Sequence, residues 1–143
     1  MRVVDFSIGV DIAAPPDRVW AVMSDIEKWH EWTASITSVR RTDHGPLRPG
    51  GRAWVRQPKF PPALWTVTEV GTTSFTWVSR APGMVITARH AVEPVGIGSR
   101  ATLSLNFAGV LGPLFGRLTR RINDRYLAME AAGLKRRSEQ PAA

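Results

Sequence analysis

The sequence predicts an α+β fold in which a curved, seven-stranded antiparallel sheet wraps around a long C-terminal helix, with two short helices after the first strand. Three observations lead to this fold. The last segment has apolar residues at helical spacing, the middle consists of short segments separated by glycine and proline turns, and one side of those segments is apolar. A sheet with one apolar face needs a cover on that face, and the C-terminal helix is the only predicted element large enough to supply it.

The first strand is predicted from the alternation of apolar and polar residues between Phe6 and Ile12. Pro16 then opens a short helix, because proline is favoured at the first helical position. Residues 24–27 have the spacing of a capping box and predict a second short helix that leads to Trp29. Because these helices interrupt the strands, the second strand need not pair with the first as a tight hairpin.

Six further strands are predicted between glycine- and proline-rich turns, at the short spacing of an antiparallel meander. Their expected ranges are 36–41, 51–57, 63–70, 74–80, 84–92 and 99–107. The last two strands each have one apolar side, formed by Met84, Ile86, Ala88, His90 and Val92 and by Ala101, Leu103, Leu105 and Phe107. These sides should face the helix.

The C-terminal helix is predicted over residues 109–137. Its apolar residues recur three or four positions apart, the period of one helix face. They are Leu111, Phe115, Leu118, Ile122, Tyr126 and Met129. Pro113 lies near the start, where its missing N–H costs nothing, and the cations at 135–137 suit a helix C-terminus. We expect one helix of about 25 residues, roughly 37 Å long, then a disordered tail over residues 138–143. Gly133, on the stripe, would leave room for a ligand, allow close approach of a backbone, or begin the end of the helix.

Size and composition limit which classes of protein are possible. A chain of 143 residues fits one domain, here residues 1–143, with a core that buries roughly 70% of the unfolded surface. The absence of cysteine excludes disulfides, thiolate nucleophiles and cysteine-based zinc sites, and it suits a reducing cytoplasm. No apolar run has the length of a signal peptide or a membrane span, so we expect a cytoplasmic protein.

The net charge of +7 comes mostly from arginine, since the chain has only three lysines, Lys28, Lys59 and Lys135. One interpretation is an arginine-rich, solvated surface. The other is attraction to anions, to a membrane surface or to nucleic acid. Four arginines of the predicted C-terminal helix point away from the apolar stripe: Arg117, Arg120, Arg121 and Arg125. They form either a phosphate-binding face or a solvated one.

Several local motifs accompany this order of elements. They are Ala-Pro-Pro-Asp-Arg-Val-Trp at 14–20, Trp-His-Glu-Trp at 29–32, Gly-Gly-Arg at 50–52, Trp-Thr-Val at 65–67, His90 with Glu-Pro at 93–94, Gly-Ser at 98–99 and Gly-Leu-Lys-Arg-Arg-Ser-Glu at 133–139. Together, from Phe6 to Glu139, they resemble the START-like helix-grip (SRPBCC) superfamily, specifically its polyketide cyclase/dehydratase and lipid-transport branch. The resemblance implies a deep, largely apolar cavity between sheet and helix, without implying catalysis.

Three functions follow as hypotheses. The first is binding of a hydrophobic or aromatic small molecule, lipid-like or polyketide-like, in that cavity. The second is an enzyme of the cyclase/dehydratase kind that needs no metal or nucleotide cofactor. The third is a regulator or nucleic-acid binder that works through the basic surface. A monomer and a homodimer are both compatible with the sequence.

His90 is the candidate catalytic residue. Alternation directs it to the apolar face, where it could act as a general acid or base or orient a ligand carbonyl, or could instead be a satisfied structural group. In an enzyme it would move a proton alpha to a ligand carbonyl, with Tyr126 or Arg89 polarising the oxygen. Arg89 is the weaker choice, because alternation places it on the other face.

The remaining candidates form a ligand pocket of mostly aromatic residues, which could equally be simple core filling. The whole pocket set is Val55, Phe60, Trp65, Phe75, Trp77, His90, Phe107, Phe115, Tyr126 and Met129. Phe60 lies in the proline-rich segment 57–62, either a stiff gate to the cavity or an ordinary loop. The hydroxyl group of Tyr126 would be free to reach a ligand.

One motif is rejected. Residues 96–101 read Gly-Ile-Gly-Ser-Arg-Ala, which matches the dinucleotide pattern, but alternating strand residues follow where that motif needs a helix. The sequence also has no Walker loop, no nucleophile elbow and no His-x-x-x-His pair. We therefore expect no cofactor and no metal.

Overall fold

The computed structural model describes residues 4–141 and has the predicted α+β architecture. The seven strands are Val4–Ile12 (β1), Ser38–Arg41 (β2), Arg52–Arg56 (β3), Ala63–Val70 (β4), Ser74–Ala81 (β5), Met84–Val95 (β6) and Gly98–Ala108 (β7). The helices are Pro16–Ser24 (α1), a 3-10 helix at Ile26–Glu31, Gly112–Leu118 (α2) and Arg120–Glu139 (α3). The prediction of a seven-stranded antiparallel sheet with a C-terminal helix and two short helices after the first strand is confirmed.

The sheet has the order β1-β7-β6-β5-β4-β3-β2, and each neighbouring pair is antiparallel. The first strand pairs with the last, from Val4 opposite Phe107 to Ile12 opposite Ser99. The short helices thus separate β1 from β2 across the width of the sheet, as their position in the sequence suggested. A register shift between Val67 and Glu69 disrupts the β4–β5 ladder, and such bulges bend a strand and increase its twist.

The inner face of the sheet is apolar. Its most completely buried aromatic side chains are Phe75 on β5 and Phe107 on β7, at 1% and 2% exposure. Complete burial of a side chain of this kind contributes roughly 1.5–3 kcal/mol. The outer face carries alternating residues such as Trp54, which is 47% exposed between the buried Ala53 and Val55. The helices therefore cover one face only.

The 3-10 helix packs its tryptophans under the sheet. Trp29 Nε1 donates a hydrogen bond to the carbonyl of Met23 at 2.9 Å, and its ring contacts Trp32 with centroids 6.1 Å apart. The expected capping box is absent, because no side chain caps the start of this helix. Its path is set instead by burial of Trp29 and Ile26, each 2% exposed.

The C-terminal segment is two helices rather than one, which corrects the sequence prediction. The chain leaves helical geometry at Thr119, with φ −104° and ψ 15°. Thr119 Oγ1 donates to the carbonyl of Phe115 at 2.7 Å and accepts from Asn123 Nδ2 at 2.8 Å. Hydroxyls that bond back to the preceding turn commonly bend helices.

This break rotates the buried face of α3 by one residue relative to the predicted stripe. The buried residues of α3 are Asn123, Leu127, Ala131, Gly133, Leu134 and Ser138. Leu111 and Leu118 of the predicted stripe belong to the part before the break, at α2, and are 51% and 77% exposed. Because a single residue is about 100° of rotation, a short interruption is enough to change which side chains face the sheet.

Gly133 allows α3 to approach the chain after the 3-10 helix. A Cβ at this position would lie 2.0 Å from the carbonyl oxygen of Trp32. The same oxygen accepts a hydrogen bond from an Arg136 Nη atom at 2.8 Å. Of the three roles expected for this glycine, close backbone approach is therefore the one that the structure shows.

The end of α3 is ordered further than predicted. Ser138, expected to begin a disordered tail, is helical and only 2% exposed. Glu139 Oε2 accepts hydrogen bonds from the Ala13 amide at 2.8 Å and from Lys135 Nζ at 2.5 Å. These contacts hold the last turn against the end of β1. The final part of the predicted tail, residues 142–143, lies outside the described residues.

Between residues 4 and 141, none of the helices combines the length with the apolar character that crossing a membrane requires.

Candidate functional site

A hollow with two adjoining chambers lies between the sheet and the C-terminal helices. The inner chamber has a volume of about 60 Å³ and the outer chamber about 370 Å³. Both are lined by Val55, Gln57, Trp65, Leu105 and Asn123, so the chambers share walls. The outer chamber alone falls within the roughly 300–1,000 Å³ of typical small-molecule sites.

The outer chamber is mainly apolar. Phe107 and Phe115 line it with ring centroids 5.9 Å apart, and Phe60 reaches Phe115 from the proline-rich loop at 6.3 Å. Polar groups are few and include Ser79 and Asn123. Pro61, Pro62 and Ala81, which also line this chamber, are exposed, so the hollow reaches the surface there.

The inner chamber has an aromatic wall and two titratable side chains. Trp77 lies at its centre, with ring centroids 5.4 Å from Trp65 and 5.5 Å from Trp29. The titratable residues are His90 from β6 and Glu130 from α3. Its volume accommodates only a few water-sized groups, so it suits the end of a ligand rather than a whole one.

His90 is held by aromatic rings. Its imidazole stacks on Phe75 at 4.5 Å and lies 5.1 Å from the ring of Trp29. The side chain is buried, and Nδ1 has no hydrogen-bond partner among residues 4–141. Burial lowers the pKa of His90 to about 3, because desolvation disfavours the imidazolium. At physiological pH this side chain is therefore a neutral donor and acceptor.

Glu130 projects from α3 into the same chamber. No hydrogen bond or ion pair engages its carboxyl group within the described part of the chain. Burial raises the pKa of Glu130 to about 7, since a carboxylate loses its hydration there. Near neutral pH the carboxyl group is thus divided between a form that donates a hydrogen bond and a form that only accepts.

The prediction that the Tyr126 hydroxyl is free to reach a ligand is wrong. Tyr126 Oη donates to the carbonyl of Pro58 at 2.5 Å, and the ring meets Phe60 edge-on at 6.0 Å. Gln57 Nε2, at the start of the same loop, donates to the carbonyl of Ser35 at 3.3 Å. These contacts hold the loop over residues 57–62 beside the outer chamber.

Most of the residues predicted to line a pocket come together at the hollow. Those that line one or both chambers are Val55, Phe60, Trp65, Trp77, His90, Phe107, Phe115 and Tyr126. Phe75 lines neither chamber, because it lies behind the imidazole on which it stacks. Met129 lines neither, because the break at Thr119 turns it to the side of α3. Arg89 is exposed on the outer face, as alternation indicated.

Sequence reasoning missed Glu130 and Asn123. Both follow from the periodicity of α3 once it is counted from Thr119, since Asn123, Leu127, Glu130 and Leu134 recur at steps of four, three and four. Polar residues on an otherwise apolar stripe are a signal of an internal site. Counting from Leu111 placed that signal on the wrong face.

Solved structures with the same fold span nearly the whole chain. The Zhui aromatase/cyclase from a Streptomyces species superposes with a TM-score of 0.76 at 13% identity, covering 96% of this chain and 94% of that one. A START superfamily protein from Mycobacterium smegmatis gives 0.75 at 18%, covering 95% and 97%. Norcoclaurine synthase from Thalictrum flavum, solved with a transition-state analogue, gives 0.75 at 16%, covering 96% and 94%. At such identities the likeness concerns the fold.

Comparison of sequences gives more direct evidence about the family of this chain. None of the curated proteins compared with it matched its sequence. The family described as polyketide cyclase / dehydrase and lipid transport matches residues 3–139, which is almost the entire chain. The START-like resemblance inferred from the local motifs is thereby confirmed. The protein belongs to the polyketide cyclase / dehydrase and lipid transport family.

Proposed function

We propose that this protein binds a hydrophobic or aromatic small molecule, with an apolar body in the outer chamber and a polar end directed into the inner one. The proposal depends on one observation: a hollow of ligand size has apolar walls that lead to His90 and Glu130, and neither side chain has a hydrogen-bond partner among residues 4–141. A ligand hydroxyl or carbonyl could pair with both, and buried polar groups gain most from such partners. A cytoplasmic location and a monomer or homodimer are part of this proposal.

The test is to fill the outer chamber. Ser79 lies on the inner face of β5 and lines this chamber, so Ser79→Phe places a ring inside it. Val78→Phe adds a similar ring on the opposite face of the same strand and is the matched control.

Binding of anilinonaphthalene sulfonate is measured by fluorescence, with circular dichroism as the check on folding. We expect saturable binding that weakens about tenfold or more in the first variant, a loss of roughly 1.4 kcal/mol, and is unchanged in the control. Equal binding by both variants, or no saturable binding to the unmodified chain, would contradict the proposal.

A second candidate is catalysis of proton transfer. It is favoured by one observation, the neutral imidazole of His90 and the partly protonated carboxyl group of Glu130 in one small chamber. Glu130 in its carboxylate form would accept the proton from the carbon alpha to a ligand carbonyl, the C–H electrons would form the C=C bond of an enolate as the carbonyl π electrons move to the oxygen, and the neutral His90 imidazole would donate a hydrogen bond to that oxygen. Tyr126 and Arg89 do not polarise the oxygen as expected, because the hydroxyl bonds to Pro58 and the guanidinium lies on the outer face.

This candidate is tested by isotope exchange. An aromatic 1,3-diketone is incubated with the protein in deuterated buffer, and loss of the alpha proton is followed by NMR. Exchange above the buffer rate that disappears in both His90→Gln and Glu130→Gln would support it. Exchange that persists in these variants, or none in the unmodified protein while ligand binds, would leave binding as the function.

A further inference from the structure

We propose that α2 and the residues around it dock on an anionic lipid surface. The docking surface consists of Val110, Leu111, Leu114 and Leu118 together with Arg117, Arg120 and Arg121, and we call it the α2 surface. It lies outside the chambers described above. Its docking does not depend on the identity of any ligand.

The apolar part of the α2 surface is unusually exposed. Val110 and Leu118 are 86% and 77% exposed, and Leu111 and Leu114 are each just over half exposed. Single exposed leucines are ordinary on protein surfaces, but a contiguous group of large apolar side chains marks an interaction site. These four lie within nine consecutive residues, at and immediately before one helix.

The leucines of α2 lie on its outer side, although Phe115 lies on its inner side. Its buried residues are Gly112 and Gly116, and a Cβ at Gly116 would lie 3.1 Å from the Phe107 ring. The glycines therefore let the helix lie close to β7 while its leucines point outward. An amphipathic helix in water directs its large apolar residues to the core, so the outward leucines need another apolar phase.

The charges on the α2 surface are all positive. From Val110 to Ile122 the chain has three arginines and no acidic residue. All three arginines are exposed, and none takes part in an ion pair within residues 4–141. The nearest acidic residue in sequence is Asp124, one helical turn after Arg121. Guanidinium groups pair with phosphate oxygens through two parallel hydrogen bonds, which matches the headgroups of anionic lipids.

This combination favours a lipid surface over two other occupants. In a two-fold dimer the same patch forms both sides of the interface, so six arginines would be brought together with no acidic residue from Val110 to Ile122 to pair with them, at a cost in repulsion. A nucleic acid would use the arginines but would leave the leucines exposed to water. An interface with acidic headgroups above an apolar interior satisfies both kinds of side chain at once.

The α2 surface also adjoins the mouth of the hollow. Phe115, on the inner side of α2, lines the outer chamber, while Leu111 contacts the exposed turn at Gly83. If the proposed ligand binding is correct, a docked protein would present its outer chamber close to the bilayer. This last point rests on the proposed function, whereas docking itself does not.

Vesicle sedimentation tests the proposal. Vesicles of phosphatidylcholine alone are compared with vesicles that contain about 30% phosphatidylglycerol. We expect the protein to sediment with the anionic vesicles only. The variant Leu114→Ser/Leu118→Ser should lower the partition coefficient about tenfold or more, and Arg117→Ala/Arg121→Ala should lower it and reduce its dependence on salt. Both pairs are exposed, so folding should be retained.

The control variants remove the same kinds of side chain from surfaces away from α2. Ile97→Ser removes a fully exposed apolar side chain at the β6–β7 turn, and Arg52→Ala/Arg56→Ala removes two exposed charges from β3. Both should leave sedimentation unchanged. Equal loss in the control variants, or no sedimentation with anionic vesicles, would overturn the proposal. So would a dimer in analytical ultracentrifugation that the leucine variant abolishes, or a DNA or RNA mobility shift that the arginine variant alone abolishes.

Discussion

The imidazole of His90 lies flat against the ring of Phe75, with centroids 4.5 Å apart and the planes 5° from parallel. This stacking places the histidine between the aromatic core and the inner chamber. Across the same chamber lies Glu130. Burial shifts the pKa values of the two residues in opposite directions. It disfavours the cationic form of His90 and the anionic form of Glu130.

The first prediction concerns stability against pH. The folded pKa of His90, about 3, is below its ordinary value of 6.5, so the unfolded chain binds more protons between these values and this residue makes stability rise with pH. The folded pKa of Glu130, about 7, is above its ordinary 4.5, so this residue makes stability fall as pH rises between them. From about pH 4.5 to 6.5 the two contributions oppose each other.

Single variants should therefore show slopes of opposite sign. In urea unfolding across this window, Glu130→Gln should become more stable with rising pH and His90→Gln less stable, each by up to about 1.4 kcal/mol per pH unit. The double variant His90→Gln/Glu130→Gln is the control and should resemble the unmodified protein in slope. Slopes of the same sign in the two single variants would show that burial does not control these groups as described.

The second prediction uses Gly133. Alanine normally stabilises a helix interior by up to about 1 kcal/mol relative to glycine. Here the added Cβ would meet the Trp32 carbonyl at 2.0 Å, so Gly133→Ala should instead destabilise the protein by about 1–3 kcal/mol. Chemical denaturation measures the difference, with Ala132→Ser at the exposed neighbouring position as the control. A stabilised Gly133→Ala protein would mean that α3 can move away from Trp32 at little cost.

The third prediction concerns the loop over residues 57–62. Tyr126→Phe removes the hydrogen bond to Pro58 while keeping the ring against Phe60. The loss should cost about 1 kcal/mol at most and should increase local opening of the loop. Limited trypsin digestion should then cut faster after Lys59, which is exposed in this loop, while cleavage after Lys28 proceeds at an unchanged rate. Unchanged cleavage after Lys59 would indicate that prolines alone hold the loop.

The fourth prediction concerns the contact between α1 and the end of α3. The Arg18 guanidinium donates to the carbonyls of Arg137 at 3.2 Å and Ser138 at 3.4 Å, where the helix dipole favours a cation. Arg18→Ala should lower the free energy of unfolding by about 1–2 kcal/mol. Arg18→Lys should recover part of the loss, because the charge remains but the two-point geometry does not. No difference among the three proteins would show that water satisfies these carbonyls equally well.

The strands and the inner face could be predicted from the sequence because they depend on alternation and on turns. Alternation directed His90 toward the helix, and Val55, Trp65 and Trp77 were expected in the pocket; all four line the hollow. Successive side chains of a strand point to opposite faces, so a strand prediction carries the side-chain direction with it. The bulge near Thr68 did not disturb this assignment at Trp65.

The C-terminal helix could not be predicted equally well, because its phase depends on a single interruption. Hydrogen bonds of Thr119 with Phe115 and Asn123 accompany a break that periodicity counted across the whole segment cannot show. Glu130 was missed for this reason, and Met129 was assigned to the cavity for the same one. The Tyr126 hydroxyl was misjudged because its partner, Pro58, is distant in sequence.

By itself the sequence determined the architecture: seven strands with one apolar face, two short helices after the first strand, and a helical C-terminal segment as their cover. These features follow from local periodicity and from turn residues, and both depend only on residues that are close together in the sequence. Only the tertiary structure decided that the cover is two helices, that their leucines face outward at α2, and that His90 and Glu130 share one chamber. Such relationships depend on where separate elements meet, and there a rotation of about 100° or one displaced hydrogen bond decides which side chains touch.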